Sequence, residues 1–165
     1  MMIETNGNDL MYQYMRKHAR PERGFTLVEL MVVVALIAII SAIAIPSYRQ
    51  HVQRGARSDL KTVLMENAAF MERFATENNG TYLTAGGVSP VLPLLVSPRG
   101  STGTNVKYNI SFVAGEPTKR TYQLQAVPAN SMSSDECGTF TINNLGQRES
   151  KNTSNGMTLD TCWNK

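Results

Sequence analysis

The 165-residue sequence has none of the short motifs that mark the commonest catalytic and phosphate-binding sites. It contains no G-x-S-x-G, no G-x-G-x-x-G, no phosphate-binding loop and no H-E-x-x-H. Histidine is nearly absent, since only His18 and His51 occur, and no run of alternating Asp and Asn resembles a calcium-binding loop. The sequence therefore predicts a protein that is not an enzyme and that carries no metal or other cofactor.

An excess of charge of either sign is also missing, because the formal net charge is only +3. Charge alone therefore gives no argument for nucleic-acid binding. A local basic patch with neighbouring tyrosines is still conceivable, and its members would be Lys107, Lys119, Arg120, Arg148 and Lys151 with Tyr108 or Tyr122. Scattered basic residues at strand ends more often protect sheet edges, so DNA binding is the less favoured interpretation. The acidic pair Asp135-Glu136 is interpreted as a solvated turn.

What the sequence does have is one long apolar run, residues 25–45, in which Glu29 is the only charged residue. As a helix this run would be about 31 Å long, close to the hydrocarbon thickness of a bilayer. Its apolar residues fall on all sides, which is typical of a membrane span and not of a soluble amphipathic helix. Basic residues precede the run at positions 16, 17, 20 and 23, and they predict a cytoplasmic N-terminus.

Two interpretations of this run compete. Residues 42–44, Ala-Ile-Ala, have the A-x-A pattern of a secretory signal cleavage site, and cleavage there would release a soluble domain. The acidic Glu29 inside the apolar run and the helical pattern that continues beyond it both favour a retained membrane span.

Residues 24–29, GFTLVE, directly before the rest of the apolar run, resemble the processing motif of type IV prepilins and their type II secretion relatives. The resemblance implies that a prepilin peptidase cleaves between Gly24 and Phe25, that Phe25 is then N-methylated, and that Glu29 pairs with the Phe25 amine of a neighbouring subunit. Leaders in this family are usually short, which suggests Met15 as the true start in place of Met1.

The resemblance also implies an organisation and a set of partners. Residues 1–24 would be the leader, 25–48 the transmembrane and filament-core helix, and 49–165 a periplasmic globular domain. The chain would sit in the inner membrane as a single-pass protein before it joins an extracellular pilus. Its partners would be inner-membrane lipid, the prepilin peptidase that also methylates, the inner-membrane assembly platform and other pilins through the N-terminal helix.

Downstream of the apolar run, the pattern predicts a continuing helix and then a small sheet. Pro46 predicts a kink or local loosening, or alternatively the end of the span. Apolar residues recur at helical spacing over residues 47–78, at Val52, Ala56, Leu60, Val63, Leu64, Phe70, Met71 and Phe74. Asn78-Asn79-Gly80 should end this helix, with Gly80 in the left-handed C′ position.

The rest of the chain alternates between loop and strand patterns. Residues 81–105 predict a long loop that packs through Leu92, Leu94 and Leu95 and that is a candidate for a functional surface. Strands are predicted at 106–113, 121–127, 137–142 and 147–150. The fold class is therefore α+β: a long N-terminal helix packed on a small antiparallel sheet.

Cysteine is scarce, and both cysteines lie after the apolar run, at Cys137 and Cys162. An even pair in an exported chain favours a disulfide, and the chain offers too few other ligands for a metal site. Residues 137–142 followed by 145–148 are similar to the C-terminal segment of PilE-type pilins. The expected function is a structural subunit or minor pilin of a type IV pilus. The alternatives are a type II secretion pseudopilin and a pilus-borne binding module, either an adhesin or a DNA-uptake receptor.

Overall fold

The computed structural model describes residues 24–151 and 153–164, which form two compact units that divide between Ala44 and Ile45. The leader expected at residues 1–24 lies outside the described residues except for Gly24. A long helix, α1, runs from Leu27 to Glu77.

The first unit consists of the apolar part of α1 and the residues just before it. Between residues 24 and 44 every residue is exposed except Ser41, which is half-buried. This stretch is long and apolar enough to cross a membrane. Because its side chains find no cover within the unit, it needs lipid or other helices around it.

The second unit is the head, in which the C-terminal part of α1 packs on an antiparallel sheet of five strands in the order β1-β2-β3-β4-β5. The strands are β1 Val96–Ser97, β2 Tyr108–Phe112, β3 Gln123–Pro128, β4 Thr139–Asn143 and β5 Arg148–Lys151. A short helix, α2, follows at Leu159–Asn164. The predicted α+β class and four of the strands are confirmed, with ends that differ by one or two residues.

The core of the head lies between α1 and the inner face of the sheet. Every second side chain of β2 and β3 points to the core, as expected for strands with one buried face. These residues are Tyr108, Ile110, Leu124 and Ala126, and all of them are buried. They pack in one cluster with apolar residues of α1, which include Ala56, Leu60, Val63, Leu64 and Met71. Burial of this apolar surface is the main stabilising contribution to the head.

Three details of the predicted pattern are wrong. Val52 is predicted on the buried stripe of the helix, but it is 43% exposed and lines an open groove beside the loop before Asp135. Leu95 was expected to pack down and is 55% exposed. Gly80 is not the C′ residue: Asn79 takes the left-handed C′ position with φ 54°, and the Gly80 N–H donates to the Ala75 carbonyl at 2.8 Å, as in a Schellman motif.

Candidate functional site

The start of α1 is a reciprocal capping box formed by Thr26 and Glu29. The Glu29 N–H donates to Thr26 Oγ1 at 3.2 Å, and Glu29 Oε2 accepts from the Thr26 N–H at 2.9 Å and from its hydroxyl at 2.8 Å. The first turn of a helix has N–H groups without partners inside the helix, and this arrangement satisfies two of them. The carboxylate also lies at the positive end of the helix dipole.

This geometry leaves the expected processing residues accessible. Phe25 is 88% exposed, Gly24 is exposed, and a Cβ built on Gly24 would meet no atom of the described residues within 4 Å. Only Oε2 of Glu29 is engaged, so within the described residues Oε1 is available to a second donor. The capping box could have been found in the sequence, since T-x-x-E before an apolar run is its signature.

Pro46 lies inside α1, as the helix continues to Glu77. The helix therefore does not end at this proline, and both alternatives, a kink or local loosening at Pro46 and the end of the membrane span there, stay predictions.

The head contains a buried ionic cluster that the sequence pattern did not predict. The Arg57 Nε donates to Asp135 Oδ1 at 2.9 Å, Arg57 Nη2 forms an ion pair with the same oxygen, and the Tyr108 hydroxyl donates to Asp135 Oδ2 at 2.5 Å. The Cys137 N–H also donates to Asp135 Oδ1, at 3.3 Å. Burial, together with the hydrogen bond to Asp135, raises the pKa of Tyr108 well above its usual range.

The interpretation of Asp135-Glu136 as a solvated turn is therefore wrong for Asp135, which is 6% exposed. Arg57 is also buried, at 5% exposed, and follows Ala56 on the core side of the helix. Its spacing from Leu60 and Leu64, three and seven residues, was the signal that could have placed it on the buried face.

The predicted disulfide between Cys137 and Cys162 is confirmed. Closing a loop of this length contributes about 3.5 kcal/mol in the chain-entropy account. The C-terminal end is also held by Trp163, whose Nε1–H donates to the Glu149 carbonyl at 3.0 Å and whose own carbonyl accepts from Lys61 Nζ at 2.8 Å. The Arg148 guanidinium lies over the Trp163 ring, 5.4 Å from its centroid.

The loop at residues 81–105 is tied to α1 at three points, one of which is the Tyr82 hydroxyl, which donates to the Glu72 carboxylate at 3.2 Å. Asn67, fully buried, donates from Nδ2 to the Leu94 carbonyl at 2.7 Å and accepts the Leu94 N–H on Oδ1 at 3.3 Å. Arg99 forms an ion pair with Glu66 on the neighbouring surface. The loop is therefore a fixed surface of the head and includes the edge strand β1.

The predicted basic patch does not form as one surface with its tyrosines. Tyr108 and Tyr122 are buried in the core. Lys107 precedes β2, whereas Lys119 and Arg120 lie in the β2–β3 loop at the opposite end of the sheet. Within residues 24–151 and 153–164, no group of His, Cys, Asp and Glu side chains is arranged to hold a metal ion.

An exposed apolar N-terminal helix joined to an α+β head that a C-terminal disulfide closes is the architecture of a pilin. Residues 19–45 match the prokaryotic N-terminal methylation motif, and residues 46–141 match the family described as type IV minor pilin ComP, DNA uptake sequence receptor. The chain belongs to this family of type IV minor pilins.

Relatives and solved structures of the same kind are similar to this chain. Prepilin peptidase-dependent protein D of Escherichia coli K12 is 34% identical over 95 residues, which are 58% of this chain and 64% of that protein. The type IV major fimbrial protein FimA of Dichelobacter nodosus is 30% identical over 116 residues, 64% of this chain and 74% of that protein. The structure of the non-core minor pilin PilV of Neisseria meningitidis matches with a TM-score of 0.44 at 21% identity. The match covers 66% of this chain and 94% of the PilV chain.

Proposed function

We propose that this minor pilin is cleaved between Gly24 and Phe25 and is then incorporated into a type IV pilus through its N-terminal helix. The observation that carries the proposal is the start of α1, where an accessible Gly24-Phe25 bond precedes an apolar helix that nothing in its own unit covers. A helix of this kind is stable in lipid or among equivalent helices, and a pilin exchanges the first environment for the second during assembly.

In this proposal residues 1–24 are the leader, 25–48 span the inner membrane and later form the filament core, and 49–165 are the periplasmic head. The N-terminus faces the cytoplasm before cleavage. The partners are the prepilin peptidase that also methylates Phe25, the inner-membrane assembly platform, and other pilins. No catalytic role is assigned to the chain itself.

Glu29 has a different partner at each stage. Before cleavage its carboxylate caps its own helix through Thr26, which lowers the cost of a charge near the membrane boundary. In a filament the group would be surrounded by apolar helices, where an unpaired charge is strongly destabilising. Cleavage supplies a positive amine at Phe25, and the free Oε1 of a neighbour's Glu29 can accept from it.

The cleavage step is tested with a pair of variants at position 24. We expect Gly24→Val to block processing and Gly24→Ala to retain part of it, because a Cβ at this position meets no atom in the part of the chain that the structure describes and its effect falls on the peptidase. Mass analysis of the wild-type mature chain should find N-methylated Phe25 as its first residue. A mature chain that begins at Ile45 would instead establish conventional signal-peptide cleavage after Ala44.

DNA uptake is the second candidate function, because the family that matches residues 46–141 is described as a DNA uptake sequence receptor. The strand register brings part of the basic set together: Lys119 and Arg120 in the β2–β3 loop lie at the same end of the sheet as Arg148, which pairs with Ile142. All three side chains are exposed and could contact phosphates.

Duplex DNA binding by the purified full chain, measured over a range of salt concentrations, tests this candidate. Lys119→Gln/Arg120→Gln should weaken binding and reduce the salt dependence by about two charges. Lys107→Gln/Lys151→Gln removes the same charge at the opposite end of the sheet and should leave binding unchanged. Equal losses in both variants, or no binding by the wild-type chain, would exclude this surface as a DNA receptor.

A further inference from the structure

The segment of α1 directly after the apolar run carries charges of one sign only. From Leu30 to Ser58 the helix has no acidic residue, and its three arginines, Arg49, Arg54 and Arg57, lie within nine positions. Arg57 is buried and paired with Asp135. Arg49 and Arg54 are exposed, and neither forms an ion pair within the described residues.

Arg49 lies at the depth expected for phospholipid headgroups, and the long side chain of Arg54 extends toward the same layer. Arg49 follows the last apolar residue, Ile45, by about 6 Å along the helix, and Arg54 follows it by about 13 Å. The headgroup layer is about 5–7 Å thick on each side of the hydrocarbon. Helical side chains lean toward the N-terminus of their helix, so the long Arg54 side chain extends back toward this layer.

Tyr48 supports the same depth. It is 70% exposed, and its ring packs against no aromatic neighbour among the described residues. Exposed tyrosines next to an apolar span are typical of the membrane–water interface, where the ring contacts lipid and the hydroxyl contacts water.

The head surrounds this segment with two shallow grooves on opposite sides of Gln53. One groove, about 340 Å³, is lined by Tyr48 and Arg49 on the helix and by the loop before Asp135. The other groove, about 270 Å³, is lined by Arg54 and by Glu136, whose carboxylate accepts from Asn155 Nδ2 at 2.8 Å. Each groove therefore has one exposed guanidinium at its wall, with hydrogen-bond donors beside it.

We propose that Tyr48, Arg49 and Arg54 form a docking surface for anionic phospholipid at the periplasmic face of the inner membrane. The guanidinium groups bind lipid phosphates, and they hold the head at the membrane until the subunit is extracted. The inference rests on the proposed function in one respect, which is that the chain is inserted with its head on the periplasmic side. Each arginine near an anionic surface contributes on the order of fivefold in affinity, so the pair should contribute roughly 25-fold.

Native mass spectrometry of the full chain, purified from membranes in detergent, tests the docking surface. Equal amounts of phosphatidylglycerol and phosphatidylcholine are added, and retained lipid adducts are counted. The wild-type chain should retain phosphatidylglycerol in strong preference, and Arg49→Gln/Arg54→Gln should lose most of that preference. Arg73→Gln/Arg99→Gln, with the same loss of charge farther along α1 and on the loop beside Glu66, should behave as wild type.

Several results would overturn the inference. One is equal retention of the two lipids by the wild-type chain. Another is an unchanged preference for phosphatidylglycerol in Arg49→Gln/Arg54→Gln. Displacement of the lipid by excess inorganic phosphate would assign the arginines to soluble anions. If lipid preference is unaffected but the double variant is lost from sheared filaments, the arginines contact neighbouring subunits. Absence of the chain from the membrane fraction would contradict the proposed function itself, so the two failures are distinguishable.

Discussion

At the scale of single residues, the stability of the head depends on the buried ion pair of Arg57 and Asp135. It joins α1 to the loop that precedes Cys137, and the Tyr108 hydroxyl satisfies the second carboxylate oxygen. Taking two charges out of water is costly, and the cost is offset only while both partners and their hydrogen bonds are present. Removal of one partner leaves a buried charge without compensation.

We therefore expect Arg57→Met to destabilise the head by about 3–5 kcal/mol. Arg57→Met/Asp135→Asn should cost less than the sum of its two single variants, because neither charge is then left alone. Unfolding of the detergent-solubilised chain can be followed by the fluorescence of Trp163, its single and buried tryptophan.

The matched control is the surface ion pair of Arg99 and Glu66, whose side chains are 63% and 43% exposed. Arg99→Gln should cost less than about 1 kcal/mol. Equal costs at the two arginines, or strict additivity of the Arg57 and Asp135 variants, would contradict the assignment of a coupled buried pair.

At the element level, α1 and most of the sheet follow from local pattern, because helical spacing and strict alternation are properties of neighbouring residues. β1 could not be predicted, since it has two residues inside a segment rich in Gly and Pro and exists only by pairing with β2. Asp135 was missed for a similar reason, since its partner on α1 is 78 residues away. The processing motif could be recognised in the sequence because it lies within a few neighbouring residues. The fixed position of the 81–105 loop could not be predicted, because it depends on contacts with distant residues of α1.

Asn67 fixes the part of this loop around Leu94 to α1, through two hydrogen bonds with Leu94. We expect Asn67→Ala to leave both backbone groups of Leu94 without their partner and to cost about 1–3 kcal/mol. Hydrogen exchange should become faster at residues 88–96 and stay slow in β4. Asn78→Ala, which removes an amide that bonds only to its own helix at Phe74, is the control. An even rise in exchange over the whole head would contradict a specific clamp.

At the scale of the whole molecule, the two units have separate physical requirements. The head carries its own core, a buried ion pair and the disulfide between Cys137 and Cys162, all of which stabilise it without a partner. The apolar part of α1 has no such internal cover and must be surrounded by lipid or by other helices. This division explains how one chain can be stored in a membrane and later serve as a filament subunit.

We propose above all that Glu29 directs the chain from the membrane into the filament. One fractionation experiment tests this role of Glu29. Glu29→Val is expressed in cells whose other pilins are unchanged, and its amounts in the membrane and in sheared filaments are compared with those of the wild-type chain. Thr26→Val, which removes the capping hydroxyl but leaves the carboxylate, is the control and should assemble close to wild type. We predict that Glu29→Val is present in the membrane at wild-type level and is strongly depleted from filaments. Wild-type amounts of Glu29→Val in the filament fraction would contradict the claim and would leave Glu29 as a cap at the membrane boundary.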